Sequence, residues 1–202
     1  MARRGRLIVF EGGEASGKST QAARLAAHLE AVLTHEPGGT DIGKRIRDLV
    51  LDPGAIAMAP STEALLMAAD RAQHVAEVIR PALSAGKDVV TDRYIPSSLA
   101  YQGYGRGLDL EELRGLSATA GAPEPDLVVL LEVSPPVAAE RLQGRDRLEA
   151  AGDDFHARVA DGYRRLAAAD PERWVVVDGD DSVDEVAARV RDAVEKWLAS
   201  QS

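Results

Sequence analysis

Leu7-Ile8-Val9-Phe10-Glu11-Gly12-Gly13-Glu14-Ala15-Ser16-Gly17-Lys18-Ser19-Thr20 is the stretch that decides how this chain is read. A four-residue apolar run, Leu7 to Phe10, ends at a glycine-rich turn. The residues behind the turn open an amphipathic helix running from about Lys18 to Ala31, with Leu25 and Leu29 on one face. Gly12 to Ser19 fits G-x-x-x-x-G-K-[ST], and a strand before it and a helix after it are the context the pattern requires. A match arises by chance in a chain of this length and composition in roughly 0.3% of cases, which sets aside an ordinary glycine turn. Glycines let successive backbone N–H groups converge on phosphate oxygens at a helix N-terminus. Lys18 would neutralise β and γ phosphates and Ser19 would ligate magnesium, so the loop predicts a nucleoside triphosphate, ATP, bound with Mg2+. The chain contains no asparagine, so the Asn-Lys-x-Asp guanine reader of switch GTPases is absent.

Outward from that loop, short β-branched runs recur: Val32 to Thr34, Asp88 to Thr91, Leu127 to Leu131 and Trp174 to Val177. Each reads as a buried parallel strand. Alanine-rich helical stretches lie between them. The last carries Val183, Val186, Val190, Val194 and Trp197 at helical spacing, and Ser182 with Glu185 forms a capping box at its start. Strands alternating with helices predict an α/β fold in three layers, a five-stranded parallel sheet with helices on both faces. Such sheets bind ligands beyond the carboxyl ends of their strands. Pro81 is expected to kink or divide the helical stretch from Thr62 to Ala85, and Gly144 to Asp154 reads as a mobile loop, a short lid. With 202 residues, no repeat and no linker, one domain spanning 1–202 is expected.

Composition removes several alternatives. Lys and Arg total 24 against 33 Asp and Glu, a net charge of −9, which would repel a nucleic-acid backbone at long range. No nucleic-acid partner is expected. Apolar residues make up 45% and charged residues 28%, as in folded soluble proteins rather than disordered ones. The absence of cysteine excludes disulfides, thiolate metal sites and cysteine nucleophiles. Arg3, Arg4 and Arg6 precede only the four-residue apolar run, and no stretch nears 18 apolar residues, so a cytoplasmic protein without membrane contact is the expectation. His28, His35, His74 and His156 show no metal-ligand spacing and read as structural or surface residues.

Polar groups recur after the other strands. Asp92-Arg93-Tyr94-Ile95-Pro96-Ser97-Ser98-Leu99-Ala100-Tyr101-Gln102-Gly103 follows the third strand, an inventory suited to a phosphorylated heterocycle. First and third strands are usually neighbours in such sheets, so Arg93 would bridge two phosphoryl groups and Asp92 would orient magnesium water. An isolated Asp-Arg pair is as often a surface ion pair; the hydroxyls and aromatic beside this one favour a site. Glu36-Pro37-Gly38-Gly39-Thr40 follows the second strand, with Arg47 on the next helix. Met67 and Arg71 are four apart and share a helix face, by itself more often core with a snorkelling arginine than a ligand site.

Together, the blocks from Phe10 to Thr20, from Glu36 to Thr40, Ala69-Asp70-Arg71, from Asp92 to Gly103, and Asp146-Arg147-Leu148-Glu149 resemble the bacterial thymidylate kinases in order and spacing over nearly the whole chain. The resemblance implies transfer of the ATP γ-phosphoryl group to dTMP, giving dTDP and ADP, in a homodimer. It implies that Gly12 to Thr20 and Arg141 hold ATP, with Arg145 and Arg147 in or beside the lid over it. Arg71 and Gln102 resemble the thymine-binding pair, Ser98 lies beside the base, Tyr101 under the deoxyribose, and Glu14 near the 3′-hydroxyl. Glu36 and Pro37 fall in the acceptor wall, and Arg47 and Arg93 resemble the dTMP-phosphate ligands. Some members place a catalytic arginine inside the phosphate loop; Gly13, Glu14, Ala15 and Ser16 include no base, so Lys18, Arg93, Arg145 and Arg147 are the catalytic candidates. The resemblance departs at two positions: Met67 stands where the family usually has Phe stacking on thymine, and His35 where it usually has Arg.

Two other readings compete. A kinase acting on deoxynucleosides would need Glu14 or Asp92 as a base on a hydroxyl. A nucleotide-switched ATPase usually carries an extra lysine early in the loop, which Gly13 to Ser16 lacks.

Overall fold

The computed structural model describes residues 4–55, 57–141 and 147–201. Five parallel strands, β1 (Leu7–Glu11), β2 (Val32–His35), β3 (Val89–Asp92), β4 (Leu127–Glu132) and β5 (Trp174–Asp178), form one sheet in the order β2-β3-β1-β4-β5. The helices are α1 (Lys18–Leu29), α2 (Asp41–Leu51), α3 (Pro60–His74), α4 (Arg80–Ser84), α5 (Ile95–Ser98), α6 (Leu110–Thr119), α7 (Pro135–Arg141), α8 (Asp153–Ala169) and α9 (Val183–Ser200).

Successive side chains of a strand point to opposite faces. Leu7 and Val9 of β1 join Val75, Ile79, Leu113 and Leu166 in one cluster, while Ile8 and Phe10 join Leu25, Val186, Val190 and Val194 in another. α1 and α9 therefore cover one face, and α3, α4, α6 and α8 the other, which gives the three expected layers. Each fully buried aliphatic side chain contributes about 1.5–3 kcal/mol to holding them together. A strand buried on both faces has no need of polar alternation, hence the unbroken Leu7-Ile8-Val9-Phe10 and Leu127-Val128-Val129-Leu130-Leu131 runs.

Burial of all five strands does not hold. β2 and β5 are the edges of the sheet, and Leu33 and Val176 on them stay 50% and 54% exposed. The stretch around Pro81 does not break: the backbone stays helical from α3 through a wider π-helical turn at Val75–Ile79 into α4, and that turn lies immediately before the proline that lacks an N–H. Of the expected 144–154 loop, Gly144, Arg145 and Asp146 lie outside the described residues. Glu149–Ala151 is a 3-10 turn, and Asp153 and Asp154 already belong to α8, whose N-terminus favours acidic side chains. The capping box is present: Ser182 accepts from the Glu185 N–H while the Glu185 carboxylate accepts from the Ser182 N–H.

Strand register assembles the site. Phe10 pairs with Asp92 and Asp92 with His35, so the carboxyl ends of β1, β3 and β2 finish side by side. The loops that leave them face one another across a crevice of about 800 Å3.

Candidate active site

Gly12 to Gly17 wraps the carboxyl end of β1 in a conformation that few residues tolerate. Gly12 has φ of 145°, and a Cβ there would lie 2.4 Å from the Leu131 carbonyl oxygen; Gly17, at φ of 88°, is the N-cap of α1. The turn aims the α1 N-terminus into the crevice. Glu14, Ala15, Ser16, Gly17, Lys18, Ser19 and Thr20 line it, facing Arg47, Asp92, Arg93 and Arg141. Lys18 Nζ donates to the Gly13 carbonyl at 2.6 Å and to Ser16 Oγ at 3.2 Å. Burial, then the nearby positive charge of Arg93, outweigh Glu14 and Asp92 and bring its pKa down to about 8.

Arg93 leaves β3 in the left-handed region, φ of 69°, with its N–H on the Phe10 carbonyl. Its guanidinium donates to Glu14 Oε1 at 2.7 Å, to the Tyr101 hydroxyl at 3.1 Å and to the Gly12 carbonyl at 3.2 Å. The Tyr101 hydroxyl also donates to Glu14. Burial raises Glu14, but the charges of Arg93 and Lys18 prevail and hold its pKa at about 2.

Ser19 Oγ donates to Asp92 Oδ2 at 2.5 Å, and Asp92 Oδ1 is buried with no hydrogen-bond partner among the described residues. A serine oxygen beside an open carboxylate oxygen at the mouth of a phosphate loop suits a hard, oxygen-seeking cation such as Mg2+.

Behind the crevice lies a buried network around Glu36, whose peptide with Pro37 is cis. Glu36 accepts from Arg71 Nε at 2.9 Å and pairs with His74 Nδ1 at 2.8 Å, and His74 Nε2 meets Thr34 Oγ1 at 2.6 Å. Arg71 also donates to the Ser98 and Ser117 hydroxyls and the Tyr94 carbonyl. Asp70 Oδ1 accepts from the Gly38 N–H, and Arg47 donates to the Pro37 carbonyl, so the 36–40 turn is held from both sides. Burial and the charge of Glu36 raise Asp70 to about 6.

The candidate residues thus fall into two groups. Glu14, Lys18, Ser19, Glu36, Arg47, Asp92, Arg93 and Arg141 line the crevice, with Arg141 donating to the Gly179 and Asp181 carbonyls at its far end. Arg71, Ser98 and Gln102 instead occupy a buried seam between α3 and the 95–105 segment, joined to the crevice through the Arg71–Glu36 ion pair, with Met67 half-buried on the same α3 face as Arg71. Arg147 is not brought to the crevice. Its side chain is 9% exposed, and its guanidinium donates to Glu63 at 2.6 Å and to the Val50 carbonyl at 2.7 Å, because a buried carboxylate captures it.

Several participants carry no sequence-level role. Glu11 is wholly buried, accepting from the Tyr94 and Ser97 N–H groups, Ser97 Oγ and the Tyr163 hydroxyl; burial raises its pKa despite them. It ties β1 to the turn that carries Arg93. Glu63 and Asp70 are two more. Glu63 lies four and eight residues before Met67 and Arg71, a helix-face signal open to inspection, whereas nothing local marks Tyr163 on α8.

The family model described as thymidylate kinase matches residues 10–190. A thymidylate kinase of Bifidobacterium longum is 49% identical over 202 residues, covering 95% of this chain and 98% of that protein. One from a Synechococcus species is 49% identical over 199 residues, covering 95% of each. The solved structure of thymidylate kinase from Ehrlichia chaffeensis is similar with a TM-score of 0.79 at 31% identity, over 95% of this chain and 99% of that one.

Proposed function

The chain belongs to the thymidylate kinase family, and on that premise we propose that it moves the γ-phosphoryl group of ATP to the 5′-phosphate of dTMP. The observation that carries this reading is one crevice in which the Gly12–Thr20 loop and Lys18 face Arg93 and Arg47 across a strand end. The loop and Arg141 would hold ATP. Arg47 and Arg93 would take the dTMP phosphate, with the base directed to the seam of Met67, Arg71, Ser98 and Gln102.

A phosphate monoester has a second pKa of about 6, so the attacking oxygen is already ionised near pH 7 and needs no base. Glu14, at a pKa of about 2, would make a poor base, which leaves Asp92 alone to serve a nucleoside acceptor. The obstacle is repulsion: two unit anions about 4 Å apart oppose one another by about 4 kcal/mol at an effective dielectric of 20. Lys18 and Arg93 answer it together, both bonded to groups of the phosphate loop, and their backbone and carboxylate partners fix them before substrate arrives. Ser19 and Asp92 would hold Mg2+, which when bound supplies further charge neutralisation on the triphosphate. Arg145, the remaining lid candidate, lies outside the described residues.

The same reading carries a homodimer. Ile42 and Leu49, a heptad apart on α2, and Leu65 on adjacent α3 are exposed apolar residues in keeping with it, and sedimentation at micromolar concentration tests it. A cytoplasmic location belongs to the reading too; among the described residues no helix is long and apolar enough to cross a membrane. An ADP-release assay with ATP and dTMP, dUMP, UMP, dCMP or thymidine tests the function. Turnover is expected with dTMP and negligible with thymidine; turnover with thymidine but not dTMP would overturn the proposal.

A further inference from the structure

Glu63 is 1% exposed, yet the crevice does not include it and no step above uses it. Its carboxylate collects donors from three places. Oε1 accepts from Gln102 Nε2 at 2.8 Å, while Oε2 accepts from Arg147 Nη2 at 2.6 Å and Arg106 Nη2 at 3.2 Å. The Arg106 Nε lies farther from Oε1, at 3.5 Å. These donors, led by Gln102 and Arg147, lower the Glu63 pKa against the effect of burial, so the group is ionised at neutral pH.

An ionised carboxylate only accepts, and an amide has one donating and one accepting end. Gln102 must therefore turn its NH2 to Glu63, which sends its Oε1 the other way. That oxygen is fully buried, on a residue 0% exposed, and has no partner among the described residues. Gln102 lies four residues beyond Ser98, whose hydroxyl accepts from Arg71, and Glu63, Met67 and Arg71 follow one another at four-residue steps along α3. The seam proposed for the acceptor base thus has Arg71 with Ser98 at one end, Glu63 with Gln102 at the other, and Met67 between.

We propose that Glu63 is a specificity-determining positioning residue, which fixes the Gln102 amide so that the base seam presents a hydrogen-bond acceptor to the pyrimidine ring. This rests on the acceptor-site reading above. Thymine and uracil carry a hydrogen on N3 and answer that oxygen. Cytosine carries a lone pair there and is repelled by it, leaving both groups unpaired in a buried place. Gln102 is the residue that meets the base; Glu63 acts through it.

Glu63→Gln tests the assignment with little change of shape. Arg147 and Arg106 only donate, so they hold the new side chain's oxygen on their side and leave its NH2 facing Gln102. The Gln102 amide then reverses and offers a donor to the ring. The ratio of kcat/KM for dTMP over dCMP is expected to fall about tenfold or more, the scale of one buried hydrogen bond made or unmade. A merely structural role would lower both substrates together and leave the ratio within about twofold, and that result in folded enzyme overturns the proposal. Should Glu63→Gln fail to fold, Gln102→Leu removes the oxygen and leaves Glu63 with both arginines. It too is expected to lower the ratio, and an unchanged ratio there overturns the proposal. Wild-type protein inactive on dTMP would overturn the kinase reading itself, whereas active wild type with unchanged variant ratios refutes only the role of Glu63.

Discussion

Replacing Asp70 by Asn should stabilise this protein, and more so at higher pH. Asp70 is 1% exposed; one carboxylate oxygen accepts from the Gly38 N–H and the other has no partner among the described residues. Burial and the charge of Glu36 raise its pKa from 3.8 to about 6. A carboxyl raised on folding gives stability that is fully present below about 3.8 and lost as pH rises through about 6. A shift of about two units, at 1.36 kcal/mol each, makes the ionised group cost about 3 kcal/mol at pH 8 and about half that at pH 5, where the folded carboxyl is mostly protonated. Asn keeps an oxygen for Gly38 and places an NH2 where the orphaned oxygen lies. The gap in melting temperature between Asp70→Asn and wild type should therefore widen by about 3–6 °C from pH 5 to pH 8 for a chain of this size. Circular-dichroism melts at constant ionic strength measure it, and titrating groups remote from Asp70 cancel in the difference. A gap that is flat or narrows with pH would refute the reasoning.

Lys18→Met should fold with a melting temperature within a few degrees of wild type yet lose about 10³ in kcat, because the lysine's partners are loop groups and not the core; steady-state assays and melts check both halves. Arg71→Ala should raise the KM for dTMP at least tenfold with little change for ATP, and destabilise by about 3 kcal/mol or more, since Glu36 is left buried with only His74. Met67→Phe should bind dTMP as tightly as wild type or tighter by calorimetry, an aromatic face being the better stacking partner; a tenfold loss would show a seam shaped to methionine. Arg147→Ala should raise the KM for dTMP with kcat within about tenfold, as its place on Glu63 requires, and a loss near 10³ in kcat would instead put that guanidinium on the transferring phosphoryl group.

What was legible in the sequence is what local chemistry dictates. A strand buried on both faces must be apolar throughout, a phosphate loop must be glycine-rich and end in Lys18-Ser19, and a helix start must be capped, so β1, the loop and the Ser182 cap could each be read within a few residues. The edge character of β2 and β5 could not, because an edge is defined by a missing neighbour and not by composition. The long-range carboxylates were equally hidden. Glu11 acts on Ser97 and Tyr163, and Glu63 on Gln102, Arg106 and Arg147, all distant in sequence. The resemblance places Arg147 in or beside the lid over ATP; the structure sets its guanidinium on the Glu63 carboxylate of α3, which no window around Arg147 contains.

The crevice cations are already partnered before any ligand arrives, and this bears on what the site selects. Lys18 has the Gly13 carbonyl and Ser16, and Arg93 has Glu14, Tyr101 and the Gly12 carbonyl. A singly charged anion would exchange these contacts for one of its own with little gain. A polyphosphate brings several charges and many acceptor oxygens, and the magnesium expected with it would draw on the Asp92 oxygen that has no partner among the described residues. The internal hydrogen bonds also hold both side chains near where charge will gather, so less reorganisation remains for the transfer step. The pairing that makes the loop indifferent to small anions is then the same pairing that prepares it for two phosphate groups brought together.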